Sequence, residues 1–129
     1  MVKKNMDENI SEYMNLIGPI EIKKIDELNY RFFSEVKNIH LNTGKMAHGG
    51  YLCTIADTGM GSVAHKVAGN RRCVTINLDM KFITAAQQSD KLLGEVVILK
   101  KTKTLVFISC LIKNQKSIVA SASGTWKIL

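Results

Sequence analysis

Proline is almost absent from the sequence: Pro19 is the only one in 129 residues, and no tract rich in serine and glycine occurs. Linkers between domains are commonly built from such residues. The chain also contains no internal repeat. We therefore expect residues 1–129 to form a single domain, since a chain of this length buries about two-thirds of its unfolded surface on folding.

Long apolar segments are missing as well. Even an apolar stretch such as 94–99 is far shorter than the roughly 20 residues that a membrane-spanning helix needs. Lys3, Lys4, Asp7 and Glu8 interrupt the N-terminus before any apolar core that a signal peptide would require. We expect a soluble, cytoplasmic protein without a membrane partner.

Cysteine is scarce, and its spacing excludes the common cysteine sites. Cys53, Cys73 and Cys110 form no C-x-x-C pair, and three cysteines cannot all be paired within one chain. This pattern fits a reducing compartment, and because each cysteine lies among apolar residues, we expect buried free thiols. The three histidines are not spaced with the cysteines as zinc ligands would be, so no metal site is expected.

Acidic residues are outnumbered: 18 lysines and arginines against 11 acids give a formal net charge of +7. Such a charge suits a polyanionic partner, whether a nucleic acid, a membrane surface or a phosphate-rich small molecule. The basic clusters lack interleaved aromatic residues, which a stacking platform for single strands needs; they are Lys100, Lys101 and Lys103, and Arg71 and Arg72. We therefore expect no nucleic-acid partner, and a solvated basic face is the simplest alternative.

The spacing of apolar residues predicts an α+β fold. The predicted elements, in chain order, are a short helix over 9–17, strands over 20–25 and 30–39, a long helix over 49–68, and strands over 73–82, 92–99, 105–112 and 118–128. Polar segments separate the strands, which suits antiparallel connections. This order predicts an antiparallel sheet wrapped around one central helix, and small residues such as Gly59 and Gly61 would let the strands approach that helix closely.

The strand predicted over 73–82 alternates in side-chain polarity. Its apolar side chains, from Val74 to Phe82, would face one side of the sheet, because successive side chains of a strand point to opposite faces. Thr75, Asn77 and Asp79 would then share the other side.

Asp57 is unusual because its neighbours on the predicted helix are small. At about 100° per residue it lies about 120° from the centre of the apolar face, beside Cys53, Gly61 and Ala64. A solvated helix flank normally surrounds an acid with lysine, glutamate and glutamine. Small residues instead predict that a ligand or a partner subunit packs closely there, and an ordinary charged residue on a helix flank is the alternative.

Gly49 and Gly50 mark the predicted start of the same helix. The first N–H groups of a helix have no acceptor within it, and glycine permits close approach of the backbone to a ligand. If a thioester carbonyl lies there, each N–H group stabilises the oxyanion of acyl transfer by about 3 kcal/mol. A simple turn is the alternative interpretation of the two glycines.

The segment NTGKMAHGG at 42–50 is followed by Asp57 nine residues after its histidine, and then by the strand TINLDMKF at 75–82. This combination resembles the signature of hotdog-fold acyl-CoA thioesterases, in particular the phenylacetyl-CoA thioesterase branch. The similarity extends more weakly over residues 18–126. It implies a six-stranded sheet curled around the long helix, edge-to-edge dimers with active sites at the interface, and homotetramers built as dimers of dimers.

The resemblance also implies roles in the hydrolysis of an acyl- or aryl-CoA thioester without a metal or redox cofactor. Asp57 would activate water as a general base, or attack as a nucleophile and form a mixed anhydride. Gly49 would supply an oxyanion N–H from the neighbouring subunit. Asn42 and His48 would position the thioester and the water, and Thr75 would assist Asp57.

Substrate binding is implied at two further groups of residues. The acyl group would lie near Tyr51, Ile55 and Phe82, with Gly50 at the helix start. The phosphates of CoA would bind basic residues near the outer strands: Lys100, Lys101, Lys103 and Arg71.

Two other functions belong to different classes. A non-catalytic module, either acyl-CoA-binding or regulatory, would keep the fold but would not hydrolyse a thioester. An intact Asp57 argues against this alternative. A hotdog dehydratase acting on acyl carrier protein would need a histidine paired with a carboxylate in a different motif. His40 and His65 belong to no motif, and we expect them at packing or surface positions.

Overall fold

The computed structural model describes residues 10–129. Its elements are α1 (Glu12–Ile17), β1 (Glu21–Lys24), β2 (Asn29–Glu35), a 3₁₀ turn (Asn38–His40), α2 (Gly49–Val67), β3 (Cys73–Phe82), β4 (Lys91–Lys101), β5 (Leu105–Lys113) and β6 (Ile118–Ile128). The predicted start of the first helix, Asn9, lies outside the described residues. α1 has Ser11 as its N-cap, whose hydroxyl accepts the Met14 N–H at 3.2 Å.

The strands form one antiparallel sheet in the order β1-β2-β4-β5-β6-β3, so that β1 and β3 are its edges. One face of the sheet packs around α2. The helix buries Leu52, Ile55, Ala56, Met60 and Val63 against it, each at most 4% exposed. The prediction of six antiparallel strands around one long central helix is confirmed.

Phe32 of β2 shows why the helix carries small residues. Its side chain is fully buried between Gly59 of α2 and Gly94 of β4. A methyl group added at either glycine would overlap the aromatic ring. The sheet can therefore curl closely onto the helix only while both positions lack a side chain.

The second strand ends earlier than predicted. β2 stops at Glu35, and the chain then turns instead of remaining extended to residue 39. The buried ring of His40 explains the turn, since its Nδ1 accepts the Lys37 N–H at 2.9 Å and its Nε2 donates to Leu16 O at 2.8 Å. His40 thus ties α1 to the segment before α2, which is a packing role.

β3 does not alternate as its sequence predicts. Thr75 pairs with Trp126 and Asn77 with Thr125, so Ile76 is the extra residue of a β-bulge. Paired residues share a face of the sheet. Because Trp126 packs on the helix side, the bulge turns Thr75 towards α2 and Asn77 away from it. The prediction that these two polar residues share a face is wrong.

The three cysteines are free thiols, but only Cys110 is buried, and burial raises the pKa of its thiol to about 12. Cys53 and Cys73 are half-buried, so the prediction that all three are buried is wrong. The reason is position: Cys53 lies on the flank of α2, and Cys73 begins the edge strand β3.

Between residues 10 and 129, no helix is both long enough and apolar enough to cross a membrane.

Candidate active site

Asp57 and Thr75 meet in the gap between α2 and β3. The Thr75 hydroxyl donates a hydrogen bond to Asp57 Oδ1 at 2.6 Å, a length typical of charge-assisted bonds. The bulge at Ile76 makes this contact possible, because it turns Thr75 towards the helix. Asp57 is half-buried and forms no ion pair with any residue of the described chain. Its second oxygen, Oδ2, is therefore left for a ligand or for water.

A cavity of about 660 Å³ opens beside this pair, between α2, β1, β3 and β6. That volume lies within the range of about 300–1,000 Å³ that small-molecule sites occupy. Asp57 and Thr75 line it, and so do His65 and Lys66, which lie about two helical turns farther along α2. The cavity therefore has the Asp57 carboxylate at one place and basic side chains about two helical turns away from it. Over residues 10–129, no three His, Cys, Asp or Glu side chains cluster as metal ligands would.

The start of α2 presents a backbone donor. His48 is the N-cap: its Nδ1 accepts the Gly50 N–H at 2.7 Å, and its carbonyl accepts the Leu52 N–H at 3.1 Å. Because Nδ1 accepts, the neutral ring carries its proton on Nε2. The N–H of Gly49, the first helical residue, has no acceptor in residues 10–129. The exposed Phe82 ring lies beside it, 3.5 Å from where a Gly49 Cβ would be.

The segment before α2 is a closed turn. The Asn42 N–H donates to Met46 O at 2.7 Å, and the Met46 N–H donates to the side-chain Oδ1 of Asn42 at 3.1 Å. Lys45 has a left-handed φ of 67° within the turn. The Ala47 N–H then bonds to Ala86 O at 2.8 Å, which fixes the turn to the loop after β3. Asn42 therefore shapes the backbone that leads into the helix.

Gly49 and Asp57 do not meet within one chain. Asp57 follows Gly49 by eight positions in the same helix, which places their backbones about 12 Å apart. A carbonyl in contact with Asp57 is therefore beyond the reach of the Gly49 N–H of the same chain. Four of the five predicted catalytic residues lie in two separate groups, Asp57 with Thr75 and Gly49 with His48.

Tyr51 does not line the cavity beside Asp57. It is buried in the core, where its hydroxyl hydrogen-bonds Ser34 Oγ at 2.8 Å and its ring stacks on His40. Burial raises the pKa of the phenol. Gly50 is exposed but its N–H is engaged in the helix cap, and Phe82 is the predicted acyl-binding side chain that is exposed at the helix start.

The predicted phosphate-binding residues are exposed and gather near one end of the sheet: Lys100, Lys101, Lys103 and Arg71. The turn after β4 is tied to the end of β6, where the Ile128 N–H donates to Thr104 O at 2.8 Å. Arg71 reaches the same end and donates from Nη2 to Leu129 O at 2.7 Å. His65, also exposed, bonds the carbonyl of Arg71 at 2.7 Å. The basic end of the cavity and the predicted phosphate-binding residues are therefore neighbours.

Trp126 is a cavity residue that the sequence analysis did not single out. It lies in β6 opposite Thr75 and lines the cavity together with Asp57. The alternation of β6 predicts that Trp126 is buried, but its neighbourhood depends on the bulge in β3. The one available signal is that it is the only tryptophan in the chain.

Residues 44–121 match the model of the family described as the Thioesterase superfamily. A Pseudomonas aeruginosa protein named as an inferred esterase is 29% identical over 119 residues, which cover 92% of this chain and 89% of that protein.

Solved structures share the fold. The PaaI protein from the phenylacetic acid degradation operon of E. coli has a TM-score of 0.77 at 22% identity, covering 85% of this chain and 79% of its own. A hypothetical thioesterase protein of Streptococcus pneumoniae, solved with coenzyme A, has a TM-score of 0.73 at 25% identity, covering 85% of this chain and 88% of its own. The predicted hotdog arrangement is therefore confirmed.

Proposed function

Because the chain belongs to the thioesterase superfamily, we propose that it hydrolyses acyl- or aryl-CoA thioesters to the free acid and CoA. The observation that carries the proposal is the hydrogen bond from Thr75 to Asp57 Oδ1 beside an open cavity. The Streptococcus pneumoniae relative, solved with coenzyme A, supports CoA as the carrier. The operon of the E. coli relative makes phenylacetyl-CoA one substrate to test.

Asp57 acts as a general base in this proposal. Thr75 holds Oδ1, and Oδ2 takes a proton from water while the water oxygen attacks the thioester carbonyl. The proton passes to the CoA sulfur as the C–S bond breaks, so one water supplies the new acid oxygen and the thiol hydrogen. No metal or redox cofactor is needed. As a nucleophile, Asp57 would instead form a mixed anhydride that water cleaves in a second step.

The oxyanion of the transition state is assigned to the Gly49 N–H of a second chain. This N–H lies at the positive end of the α2 dipole and has no acceptor in residues 10–129. Because Gly49 and Asp57 of one chain are about 12 Å apart along the helix, one complete site needs two chains.

β3 supports an edge-to-edge dimer. It is an edge strand of 10 residues and exposes the apolar side chains of Val74 (44%) and Ile76 (56%). An exposed apolar edge readily pairs with another chain. We propose that β3 joins two chains into a dimer, and that two dimers form a tetramer.

This arrangement predicts that Cys53 lies at the dimer axis. Gly49, Cys53 and Asp57 follow at intervals of four residues on one flank of α2. A two-fold axis that brings Gly49 of one chain against Asp57 of a second chain also brings Asp57 of the first chain against Gly49 of the second. Cys53 lies midway between the two residues, so it faces its own copy across the axis. A short bismaleimide should therefore link two chains through Cys53. Alkaline pH favours the reaction, because burial raises the pKa of this thiol.

The product is a covalent dimer on a denaturing gel. Cys53→Ser should abolish it, whereas Cys73→Ser, which removes the other half-buried thiol, should leave it unchanged. A covalent dimer that persists in Cys53→Ser would place the axis elsewhere.

The basic end of the cavity is proposed to capture the phosphates of CoA. Lys66 lines the cavity, and the predicted phosphate-binding residues lie nearby, with Arg71 bonded to the carbonyl of Leu129 just after β6. Like charges gathered at a cavity mouth raise the local concentration of an oppositely charged ligand. These residues therefore contribute to substrate capture and not to the chemical step.

Release of free thiol from acetyl-, hexanoyl-, palmitoyl-, benzoyl- and phenylacetyl-CoA tests the proposal. We expect turnover of at least one of these thioesters, and the ranking gives the acyl preference. If none is hydrolysed, the alternative of a non-catalytic acyl-CoA-binding module is favoured. Calorimetric titration with a non-hydrolysable CoA thioether then measures its affinity. The same acyl group on acyl carrier protein compares the two carriers.

A further inference from the structure

Trp126 is almost completely buried, with 1% of its surface exposed. Its indole N–H has no hydrogen-bond acceptor in residues 10–129. Buried indole N–H groups normally have an acceptor, because an unsatisfied buried donor costs free energy. Every side-chain nitrogen or oxygen that is sealed from solvent in this part of the chain does have a partner. Because the indole nitrogen has no such partner, it is not sealed from solvent and must reach the surface of a cavity.

That cavity is the one beside Asp57. Trp126 and Gly61 both line it, and Nε1 lies 3.1 Å from the position that a Gly61 Cβ would occupy. Gly61 follows Asp57 by about one helical turn on the same flank. Thr75, which holds Asp57 Oδ1, is the residue paired with Trp126 across β3 and β6. Trp126 and Asp57 therefore line the same cavity, with the indole nitrogen about one helical turn from Asp57 along α2.

We propose that the Trp126 N–H holds the water molecule that attacks the thioester, a role that rests on the proposed hydrolysis. In this proposal, the bound group accepts from the indole N–H and also donates to Asp57 Oδ2. A carbonyl oxygen cannot donate, whereas water can do both. One lone pair of the water accepts the indole hydrogen, one hydrogen goes to Asp57, and the second lone pair is left to attack the carbonyl carbon. Fixing the water in this way removes orientational freedom before the reaction.

The chain has one tryptophan, so an isosteric analogue can be introduced at this position alone. L-3-benzothienylalanine keeps the two-ring shape of tryptophan and has sulfur in place of the N–H group. With this analogue at Trp126, we expect kcat to fall about tenfold for every acyl group that the natural chain hydrolyses, with KM changed by less than about twofold. The temperature of unfolding should not change, because the N–H has no protein partner in residues 10–129.

A kcat equal to that of the natural chain would overturn the proposal. A loss limited to thioesters whose acyl chain carries an additional hydroxyl group, such as hydroxyphenylacetyl-CoA but not phenylacetyl-CoA, would assign the N–H to the acyl chain and also overturn it. Trp126→Phe should show the same fall in kcat together with a lower unfolding temperature, and instability without a fall in kcat would leave only a packing role. If the natural chain hydrolyses no thioester, the proposed function fails first and this role fails with it.

Discussion

Asp57→Asn should lower kcat for thioester hydrolysis by about 10²–10⁴-fold, the usual contribution of a general base. The amide cannot accept the proton of the attacking water, and it cannot form a mixed anhydride. A loss of at least this size is therefore expected whether Asp57 acts as base or as nucleophile. Release of free CoA measures kcat, and calorimetry with a CoA thioether measures binding, which should be retained.

The fold should tolerate this change. Asparagine keeps an Oδ1 that can accept the hydrogen bond from the Thr75 hydroxyl. In the natural chain, this hydroxyl lies 2.6 Å from Asp57 Oδ1. Asp57 forms no ion pair with residues 10–129, so no cation there loses its partner. The thermal unfolding midpoint should accordingly stay close to that of the natural chain.

Asp79→Asn is the matched control. It makes the same change of charge on β3, where the exposed Asp79 is paired with Ser123 on the side away from the helix. Activity should not change in this variant. If Asp57→Asn retained most of the natural kcat while thioesters were still hydrolysed, the base would have to be another group.

Much of the fold follows from the spacing of apolar residues. The long helix was predicted over 49–68 and is observed at Gly49–Val67, and the last strand was predicted with the observed bounds, Ile118–Ile128. Both segments bury a continuous set of side chains, so their period is a strong signal. The second strand was predicted too long, because the hydrogen bond from His40 Nε2 to Leu16 O, which helps to fix the turn that ends it, connects residues distant in sequence.

The candidate site was only partly predictable. The H-G-G motif and Asp57 are visible in the sequence, since glycines at a helix start and an acid among small residues are local features. The bulge at Ile76 is not, because it arises from the pairing of β3 with β6. Without the bulge, Thr75 would point away from Asp57, and Trp126 would have a different partner across the strands.

The 12 Å gap between Gly49 and Asp57 also has a sequence origin, because about 1.5 Å of helix rise separates successive residues. Eight such steps account for the gap once one helix over 49–67 is established. What the sequence of one chain cannot supply is the second chain that would close the gap.

Gly49→Pro tests the proposed oxyanion donor, because proline has no N–H. Gly49 is the first residue of α2, where proline is well tolerated since this N–H has no acceptor within the helix. His48 has the extended conformation, φ −64° and ψ 136°, that a residue before proline prefers. The fold should therefore persist, while kcat falls by about 10²–10³-fold, as on removal of one oxyanion donor.

Gly49→Ala is the matched control, because it keeps the N–H. Its Cβ would lie 3.5 Å from the Phe82 ring, an ordinary contact within the chain, so kcat should fall much less than in Gly49→Pro. Equal activities of the proline and alanine variants would exclude the Gly49 N–H as oxyanion donor.

Mixing the two inactive variants, Asp57→Asn and Gly49→Pro, shows whether one site uses two chains. In a mixed dimer, one site contains both substitutions and the other contains neither. Random reassociation of equal amounts makes half of the dimers mixed, so about a quarter of the natural activity should return. If Asp57 and Gly49 of the same chain formed the site, every site would carry a substitution and no activity would return. Recovery would therefore establish that the helix start of one subunit and the carboxylate of the other act on the same thioester.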